Sequence, residues 1–273
     1  MPAARVTFLG TGTSHGVPMI GCRCAVCRSD DPRDRRLRPS IHIAVDGGPH
    51  VLVDTATDLR QQALTHDITR VDAVLFTHSH ADHVMGLDEL RRFTLTPGRQ
   101  LPIYADAKTG GELRRIFSYA FGAPAGPGGG VPQLALAGID GPFAVDGLAV
   151  QPVPIMHGPQ TILGFRIGGF AYLTDCNHVP EASMALLTGL DVLVLDALRH
   201  RPHPTHFALA EAVEVATRIG ARETFFTHIC HDLPHAATNA TLPAGMALGY
   251  DGQVVLLADV PLVAAAPAGG GAA

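Results

Sequence analysis

Alternating hydrophobic and polar positions in the first part of the chain predict short strands. Each apolar segment is bounded by Gly, Pro or Asp, which favour turns, and the segments cover residues 5–10, 41–45 and 51–53. This pattern is typical of antiparallel strands in one sheet. The next apolar run, residues 73–77, lies between two helix-like segments, residues 58–66 and 86–93. The order predicts that the polar residues after position 77 lie on a loop at the carboxyl end of a strand.

A second series of strand-like segments follows in the C-terminal half of the chain. The predicted strands cover residues 143–145, 148–153, 163–167, 170–174, 192–195 and 223–227. A helix is predicted at residues 208–219. Both halves therefore combine a β-rich stretch with β/α units. This arrangement predicts an α/β fold of two packed mixed sheets flanked by helices, in one domain that covers residues 1–262.

Two segments lack any periodic pattern. Residues 122–132 consist almost entirely of Gly, Pro and Ala, which predicts a mobile loop, and residues 87–132 as a whole are a candidate lid. Residues 263–273 have low complexity, which predicts a disordered tail. No stretch approaches the ~20 apolar residues of a membrane helix, and the N-terminus lacks a signal-peptide pattern. We therefore expect a cytoplasmic protein.

Composition and charge narrow the functional classes. The hydrophobic fraction of 47% is enough for a sizeable buried core. The formal net charge of −5 does not favour a nucleic-acid surface. One local basic cluster is either a solvated loop or a patch for an anionic substrate, and it consists of Arg33, Arg35, Arg36 and Arg38. Fifteen histidines are many for this length and indicate metal binding.

The strongest chemical signal is the segment HSHADH, residues 78–83. In extended backbone, side chains two residues apart point the same way, so His78 and His80 can face one cavity. Asp82 and His83 lie where the chain turns toward the next helix, and they can reach a second position a few ångströms away. The segment therefore predicts a centre that binds two metals.

An HxHxDH motif after a strand resembles the signature of the metallo-β-lactamase-fold hydrolases, which implies an αββα sandwich. The resemblance implies one metal held by His78, His80 and His157, another held by Asp82, His83 and His228, and Asp175 as the bridging ligand. Such a mixed set suits Zn²⁺ or Mn²⁺. Asp54 matches a family position that supports a ligand histidine, and a role in a turn or at a helix start is the alternative.

Three of the five cysteines form a CxCxxC motif, at Cys22, Cys24 and Cys27. They are too close together to staple a secreted fold, and they predict a structural zinc site. His231 is the candidate for the fourth ligand, while Cys230 or the absence of a metal are the alternatives. With His231, the site would tie the N-terminal loop to the segment that carries His228. Cys176 is expected to be a small buried hydrophobic residue.

Residues 8–27, FLGTGTSHGVPMIGCRCAVC, resemble the accessory phosphodiesterases of the carbon-phosphorus lyase pathway. The resemblance implies hydrolysis of phosphoribosyl cyclic phosphate, and it matches His206 to a histidine that faces the leaving group. His206 would act as general acid during attack by a metal-bridging hydroxide, and a capping or core histidine is the alternative. We interpret the small-residue loop 10–16 as backbone packed close to the centre.

Together these inferences predict a cytoplasmic phosphodiesterase with His206, Asp82 and Asp175 as catalytic residues. Its expected cofactors are two Mn²⁺ or Zn²⁺ in the active site and one structural Zn²⁺. We expect a small cyclic or linear phosphodiester as substrate, neither a membrane nor nucleic acid as partner, and leave a homodimer open. Two alternatives are an enzyme like the tRNA 3′-processing endonucleases, which the acidic charge balance disfavours, and a non-catalytic metal-binding carrier in cofactor biosynthesis.

Overall fold

Strands dominate the computed structural model, which describes residues 2–95, 100–121 and 130–263. The strands are β1 (Ala4–Gly10), β2 (Ser40–Val45), β3 (His50–Val53), β4 (Ala73–Leu75), β5 (Leu101–Ala105), β6 (Leu134–Gly138), β7 (Phe143–Val145), β8 (Leu148–His157), β9 (Gln160–Ile167), β10 (Phe170–Leu173), β11 (Val192–Asp196), β12 (Glu223–Thr227), β13 (Met246–Leu248) and β14 (Val254–Leu257). The α-helices are α1 (Leu59–Thr65), α2 (Ala81–Val84), α3 (Ala107–Ile116), α4 (Glu181–Met184), α5 (Leu209–Ile219) and α6 (His235–Asn239). Short 3₁₀ helices cover Val26–Arg28, Pro32–Asp34, Leu87–Thr94, Ser118–Ala120 and Ala185–Leu187.

The strands form two seven-stranded sheets, each with an antiparallel half and a parallel half. In the first sheet the order is β14-β1-β2-β3-β4-β5-β6, and the pairs are antiparallel up to β3 and parallel beyond it. In the second sheet the order is β13-β12-β11-β10-β9-β8-β7, and the pairs are parallel up to β10 and antiparallel beyond it. The predicted architecture of two mixed sheets flanked by helices is confirmed.

Strands in the middle of each sheet are buried on both faces. In β3, Val51 and Val53 join the core between the sheets, while Leu52 joins the cluster beneath the helices of the first sheet. In β11, Val194 lies in the core between the sheets and Leu195 beneath the helices of the second. Because successive side chains alternate in direction, burial on both faces requires a continuous apolar run. Each fully buried aliphatic side chain of this kind contributes about 1.5–3 kcal/mol.

The helices cover the outer faces of the sheets. Leu59 of α1 and Leu113 of α3 are buried against the first sheet, and Ala212 and Ala216 of α5 are buried against the second. Helix α5 ends at Ile219 because the next residue, Gly220, has a φ of 71°, which favours glycine. Within the described ranges, no helix combines the length and the hydrophobicity that crossing a bilayer requires.

Several expectations about individual elements need correction. The segment predicted as a helix at residues 86–93 is a 3₁₀ helix. Strand β8 continues beyond residue 153 to His157. Three elements, β5, α3 and β6, were not predicted from the sequence. The candidate lid therefore contains a βα unit whose residues Leu101 and Leu113 are buried in the core. That part is a layer of the fold and not a lid.

Other expectations fall on residues whose structure is not described. The predicted mobile loop at 122–132 lies mostly outside the described residues, which resume at 130. The predicted tail, except for its first residue, lies outside them as well. That first residue, Val263, donates its backbone N–H to the carbonyl of Gly147 at 2.8 Å and so belongs to the folded part of the chain.

One member of the basic cluster, Arg36, is buried and paired, so neither sequence-based interpretation fits it. Arg36 is only 1% exposed. Its guanidinium donates to the carbonyls of Cys230 at 2.8 Å and Leu233 at 2.7 Å, and to Asp34 Oδ1 at 3.2 Å. The arginine therefore fastens the N-terminal loop to the segment that follows β12.

Replacing Arg36 tests this fastening. Arg36→Ala should lower the free energy of unfolding by about 3–5 kcal/mol, because a buried carboxylate and two buried carbonyls lose their partner. The neighbouring exposed Arg35 provides the matched control, and Arg35→Ala should stay within about 0.5 kcal/mol of wild type. Denaturant unfolding followed by circular dichroism measures both, and equal effects of the two variants would contradict the assignment.

Candidate metal centre

Strand ends bring the predicted ligands to one edge of the molecule. The residues concerned end or follow β4, β8, β10 and β12, and they are His78, His80, Asp82, His83, His157, Asp175 and His228. Strands β8, β10 and β12 run in the same direction, since the intervening pairs are two antiparallel and two parallel. Strands that run in the same direction end at the same edge, so residues distant in sequence meet there.

The ligand atoms form two groups that share one carboxylate. In each group the candidate ligand atoms lie within 4.8 Å of one another: His78, His80, His157 and Asp175 in the first, and Asp82, His83, Asp175 and His228 in the second. Asp175 Oδ2 is 3.6 Å from His78 Nε2, 3.1 Å from His83 Nε2 and 3.3 Å from His228 Nε2. Asp175 thus has the position of a bridging ligand, and the grouping matches the one that the family resemblance implies.

Buried imidazole nitrogens without hydrogen-bond partners show that these residues fit divalent cations. The Nε2 atoms of His78 and His83 are buried and make no well-aligned hydrogen bond to a described residue, although the Asp175 carboxylate is near both. Leaving a buried polar atom unsatisfied costs about 1–3 kcal/mol. A metal ion would accept the lone pair of a neutral Nε2 and remove that cost.

The opposite nitrogens have partners that leave Nε2 free to bind. His83 Nδ1 is 2.7 Å from Asp54 Oδ2, and His157 Nδ1 is 3.0 Å from the carbonyl oxygen of Thr205. Both partners accept, so the proton resides on Nδ1. His78 Nδ1 is 3.0 Å from the Thr77 hydroxyl, whose own proton goes to Asp54 at 2.8 Å. That hydroxyl can therefore only accept from His78, which fixes the same tautomer.

Asp54 supports two of these interactions from beneath the site. It is fully buried, and it accepts hydrogen bonds from the Thr77 N–H and hydroxyl, both at 2.8 Å, in addition to its contact with His83. These contacts fit the supporting position that the family resemblance implies, and not a helix start. Such partners orient a ligand imidazole and raise its basicity.

The charges in the cluster call for a cation. Burial lowers the pKa of His78 well below its usual range and that of His157 to about 4, so both rings are neutral. Burial also disfavours the charged form of His83, but the carboxylates of Asp175, Asp82 and Asp54 outweigh it and hold the pKa of His83 well above its usual range. The carboxylates of Asp175, Asp82 and Asp54 thus create a negative potential that divalent metal ions would neutralise.

Backbone conformation marks three residues of the site. Asp54, Asp175 and His228 have φ values of 64°, 66° and 59°, in the left-handed region that residues other than glycine rarely adopt. Each follows the end of a strand and turns its side chain into the cluster. Such a conformation costs of order 1–3 kcal/mol, and it persists where the surrounding structure determines it.

His206 lies beside the cluster and contacts the carboxylate of Asp196, which was not predicted from the sequence. Its ring centroid is 4.5 Å from that of His228 and 4.8 Å from that of His157. His206 Nδ1 is 2.7 Å from Asp196 Oδ2. Burial raises the pKa of Asp196 well above its usual range and lowers that of His206. The only sequence signal for Asp196 is that it ends the apolar run Val-Leu-Val-Leu-Asp.

The cysteine motif meets His231 on the outer side of the same region. His231 Nδ1 is 3.1 Å from Cys22 Sγ, 3.4 Å from Cys27 Sγ and 3.7 Å from Cys24 Sγ. Three thiols and one imidazole match a closed structural zinc site. Cys230, the alternative ligand, is outside this group, and its sulfur accepts from the Asp232 N–H at 3.3 Å.

Two smaller expectations can be placed in the structure. Cys176 is fully buried in the core beneath the second sheet, in the surroundings expected for a small hydrophobic residue. The loop at residues 10–16 pairs with the segment after His228, because Thr13 donates its N–H to the Ile229 carbonyl at 3.1 Å. A Cβ at Gly12 would lie 2.7 Å from the Arg36 carbonyl oxygen, so only glycine permits this approach.

Comparisons with known proteins agree with this geometry. The family model described as the beta-lactamase superfamily domain matches residues 50–229, a range that contains all seven predicted ligands of the metal cluster. A crystal structure of a diphosphatase from the PhnP family is 46% identical, covers 96% of this chain and 100% of that chain, and superposes with a TM-score of 0.89.

Two curated relatives have other names. Coenzyme PQQ synthesis protein B from Methylobacterium radiotolerans is 32% identical over 232 residues, which are 70% of this chain and 72% of that protein. An octanoyltransferase from Porphyromonas gingivalis is 40% identical over 255 residues, which are 93% of this chain. The chain spans only 51% of that octanoyltransferase, so its name describes a protein about twice as long.

Metal content tests both sites together. The purified protein should contain about three metal ions per chain, two in the cluster and one at the cysteines. Cys24→Ser should remove about one zinc, because a closed four-ligand site loses a thiolate. Cys230→Ser is the matched control and should keep all of the zinc. Elemental analysis measures the content, and zinc loss in the control would make Cys230 the ligand instead.

Proposed function

The chain belongs to the beta-lactamase superfamily, and from this premise we propose that it is a metal-dependent hydrolase of small phosphodiesters. Phosphoribosyl cyclic phosphate is the first candidate substrate. The observation that carries the proposal is a buried His206–Asp196 pair beside a cluster that fits two cations. The similarity to a PhnP-family diphosphatase at 46% identity supports chemistry at phosphorus.

The candidate ligands form two groups, and each group would hold one cation near the phosphoryl group. His78, His80 and His157 would hold one cation, Asp82, His83 and His228 the other, and Asp175 would contact both. When bound, the cations activate water and offset negative charge on the phosphoryl oxygens. We assign Asp82 and Asp175 a catalytic role in this sense, because they fix the positions of the charges that stabilise the transition state.

His206 is placed to protonate the leaving oxygen. Together, His206 and Asp196 can hold two protons, one in the 2.7 Å contact and one on His206 Nε2. When Nε2 gives its proton to the departing alkoxide, the other proton stays between the two groups. Asp196 thereby keeps Nδ1 protonated and Nε2 directed away from it. A general acid of this type contributes about 10²- to 10⁴-fold to the rate.

One short loop fixes the positions of both the general acid, His206, and a candidate metal ligand, His157. The Thr205 carbonyl accepts from His157 Nδ1 at 3.0 Å, and the next residue is His206. Asn177 clamps this loop, because its Oδ1 accepts from the Gly158 N–H and its Nδ2 donates to the Pro204 carbonyl, both at 2.9 Å. The separation of acid and metal ligand is therefore fixed before substrate binds, as efficient proton transfer requires.

A second candidate function is a metal-binding protein without hydrolytic activity in cofactor biosynthesis. The observation that favours it is the 32% identity to coenzyme PQQ synthesis protein B. The presence of the His206–Asp196 pair beside the cluster favours hydrolysis, since a carrier has no need of an acid there. Turnover of a phosphodiester decides between the two functions.

The metal-dependent reaction is tested with His80→Ala. Loss of this ligand should lower turnover of bis(4-nitrophenyl) phosphate and of a cyclic ribose phosphate by about 100-fold or more, because one cation loses a ligand. His66→Ala removes an imidazole outside the cluster and should leave turnover unchanged. Wild-type turnover in His80→Ala would contradict the assignment of a two-metal centre. Absence of turnover in the wild type would favour the metal-binding protein without hydrolytic activity.

The role of His206 is tested through the leaving group. His206→Ala should slow cleavage of an alkyl ester about 100-fold more than cleavage of a 4-nitrophenyl ester, because 4-nitrophenolate departs without a proton. Asp196→Asn should show the same selectivity to a smaller degree, since it disturbs only the orientation and charge of the imidazole. The measurement is kcat for both esters, and equal losses would remove His206 from this role.

A further inference from the structure

The chain's 20 lysines and arginines include a single lysine, Lys108, and the fold carries it to the edge that holds the metal cluster. Lys108 is exposed in the first turn of α3, which follows β5. Strand β5 runs parallel to β4, and the HSHADH segment follows β4. Because the carboxyl ends of neighbouring parallel strands lie at the same edge of a sheet, α3 begins beside the metal ligands.

A contact with the second half of the chain locates the Lys108 amine more closely. Lys108 Nζ donates to Gln160 Oε1 at 2.8 Å. Gln160 is the cross-strand partner of His157 in the hairpin formed by β8 and β9. Side chains of directly opposed residues lie side by side on the same face of a hairpin. The exposed Gln160 and the Lys108 amine therefore lie next to the candidate ligand His157, at the entrance to the cluster.

The positive charge of Lys108 is not balanced by a neighbouring acid. Within the described ranges, no carboxylate lies within 4 Å of Lys108 Nζ. The adjacent acid, Asp106, caps α3 instead, because its Oδ1 accepts from the Thr109 N–H at 2.7 Å. An ammonium group has three donors, and the neutral amide of Gln160 accepts from one of them. Two donors and the full charge are therefore available to an anionic ligand.

The general acid His206 and the Lys108 amine meet the hairpin at different points. The loop that carries His206 packs on the turn of the hairpin, since a Cβ at Gly158 would lie 2.8 Å from Thr205 Cγ2. Lys108 contacts the hairpin on β9, at Gln160. In the proposed reaction His206 serves the leaving oxygen. The Lys108 amine is thus left for the oxygens that remain on phosphorus.

We propose that Lys108 binds the substrate anion, through a non-bridging oxygen of the scissile phosphodiester. The inference rests on the proposed function and adds to the metal ligands a substrate-binding cation that lies outside both ligand groups. A contact between an ammonium group and a phosphoryl oxygen is charge-assisted and about twice as strong as a neutral hydrogen bond, so the substrate competes well with Gln160 for the amine.

The salt dependence of Lys108→Gln tests this binding role in the holoenzyme. At low ionic strength the variant should lower kcat/KM for bis(4-nitrophenyl) phosphate about tenfold, mainly through KM, because one charge-assisted contact is lost. In about 1 M salt, where the screening length falls to about 3 Å, the difference should shrink to about twofold. Lys108→Arg keeps the charge and should restore most of the activity. A loss that is the same at both salt concentrations would overturn the proposal.

Two control variants separate the charge from a structural role of the contact. Gln160→Ala removes the partner but keeps the charge, and it should stay within about twofold of wild type. Arg114→Gln removes an exposed charge from the last turn of the same helix and should also stay within about twofold. An equal loss in Gln160→Ala and Lys108→Gln would mean that Lys108 only holds the hairpin, and it would overturn the binding role.

Calorimetry with dimethyl phosphate distinguishes failure of this inference from failure of the proposed function. If the wild type turns over no phosphodiester, the proposed function fails. The binding role still predicts that the metal-loaded protein binds dimethyl phosphate, and that Lys108→Gln weakens this binding about tenfold. Equal binding by the two proteins, or none by either, would overturn the binding role of Lys108.

Discussion

Asp175 must remain an anion while it is only 2% exposed, and much of the structure follows from that requirement. Burying an isolated carboxylate is prohibitive unless opposite charge and donors surround it. Imidazoles at the carboxyl ends of β4, β8 and β12 approach its carboxylate. The two candidate cation positions both include Asp175 as a ligand. The strands of both sheets therefore have to end at the same edge. The left-handed conformation of Asp175 and His228 is the local cost of turning both side chains inward.

The arrangement of the sheets makes this convergence possible. The parallel half of each sheet includes its central strands, where burial on both faces produces the uniformly apolar runs seen in the sequence. Such strands have polar residues at their carboxyl ends, because the chain leaves the core there. Asp54, Asp175, Asp196 and His228 all lie at these ends. The strands fix the positions of these residues, and contacts of the following loops, such as those of Asn177, add to this.

The sequence was informative wherever a short segment carried its own chemistry. The HSHADH segment and the CxCxxC motif predicted two groups of side chains. The structure brings the first together with the later residues that the family resemblance implied, and the second together with His231, the candidate chosen from the sequence. Those strands that were predicted could be recognised for the same reason, since each depends on a local pattern. The metal assignments themselves stay predictions.

What the sequence did not reveal depends on contacts between distant segments. Asp196 pairs with His206 only because β11 lies beside β10 and β12, and that order cannot be read from one strand. The Thr205 carbonyl that orients His157 has no side-chain signal at all. Arg36 looked like part of a charged surface, yet its buried guanidinium joins the N-terminal loop to the segment after β12 by hydrogen bonds. β5 and β6 were missed because neighbouring Pro and Gly residues obscure their alternation.

The family model ends at residue 229, just before His231, and it begins after the three cysteines that His231 contacts. The core that it matches holds the metal cluster and the acid. Both ends of the chain outside that core fold back together at the cysteine site and build part of the wall of a cavity beside His206. Arg199, Arg201 and His203, which lie inside the matched range, belong to the rest of that wall, so the terminal segments and the core share the cavity. His231 belongs both to the cysteine group and to this wall, so the terminal segments that hold the cysteines also shape the cavity beside His206.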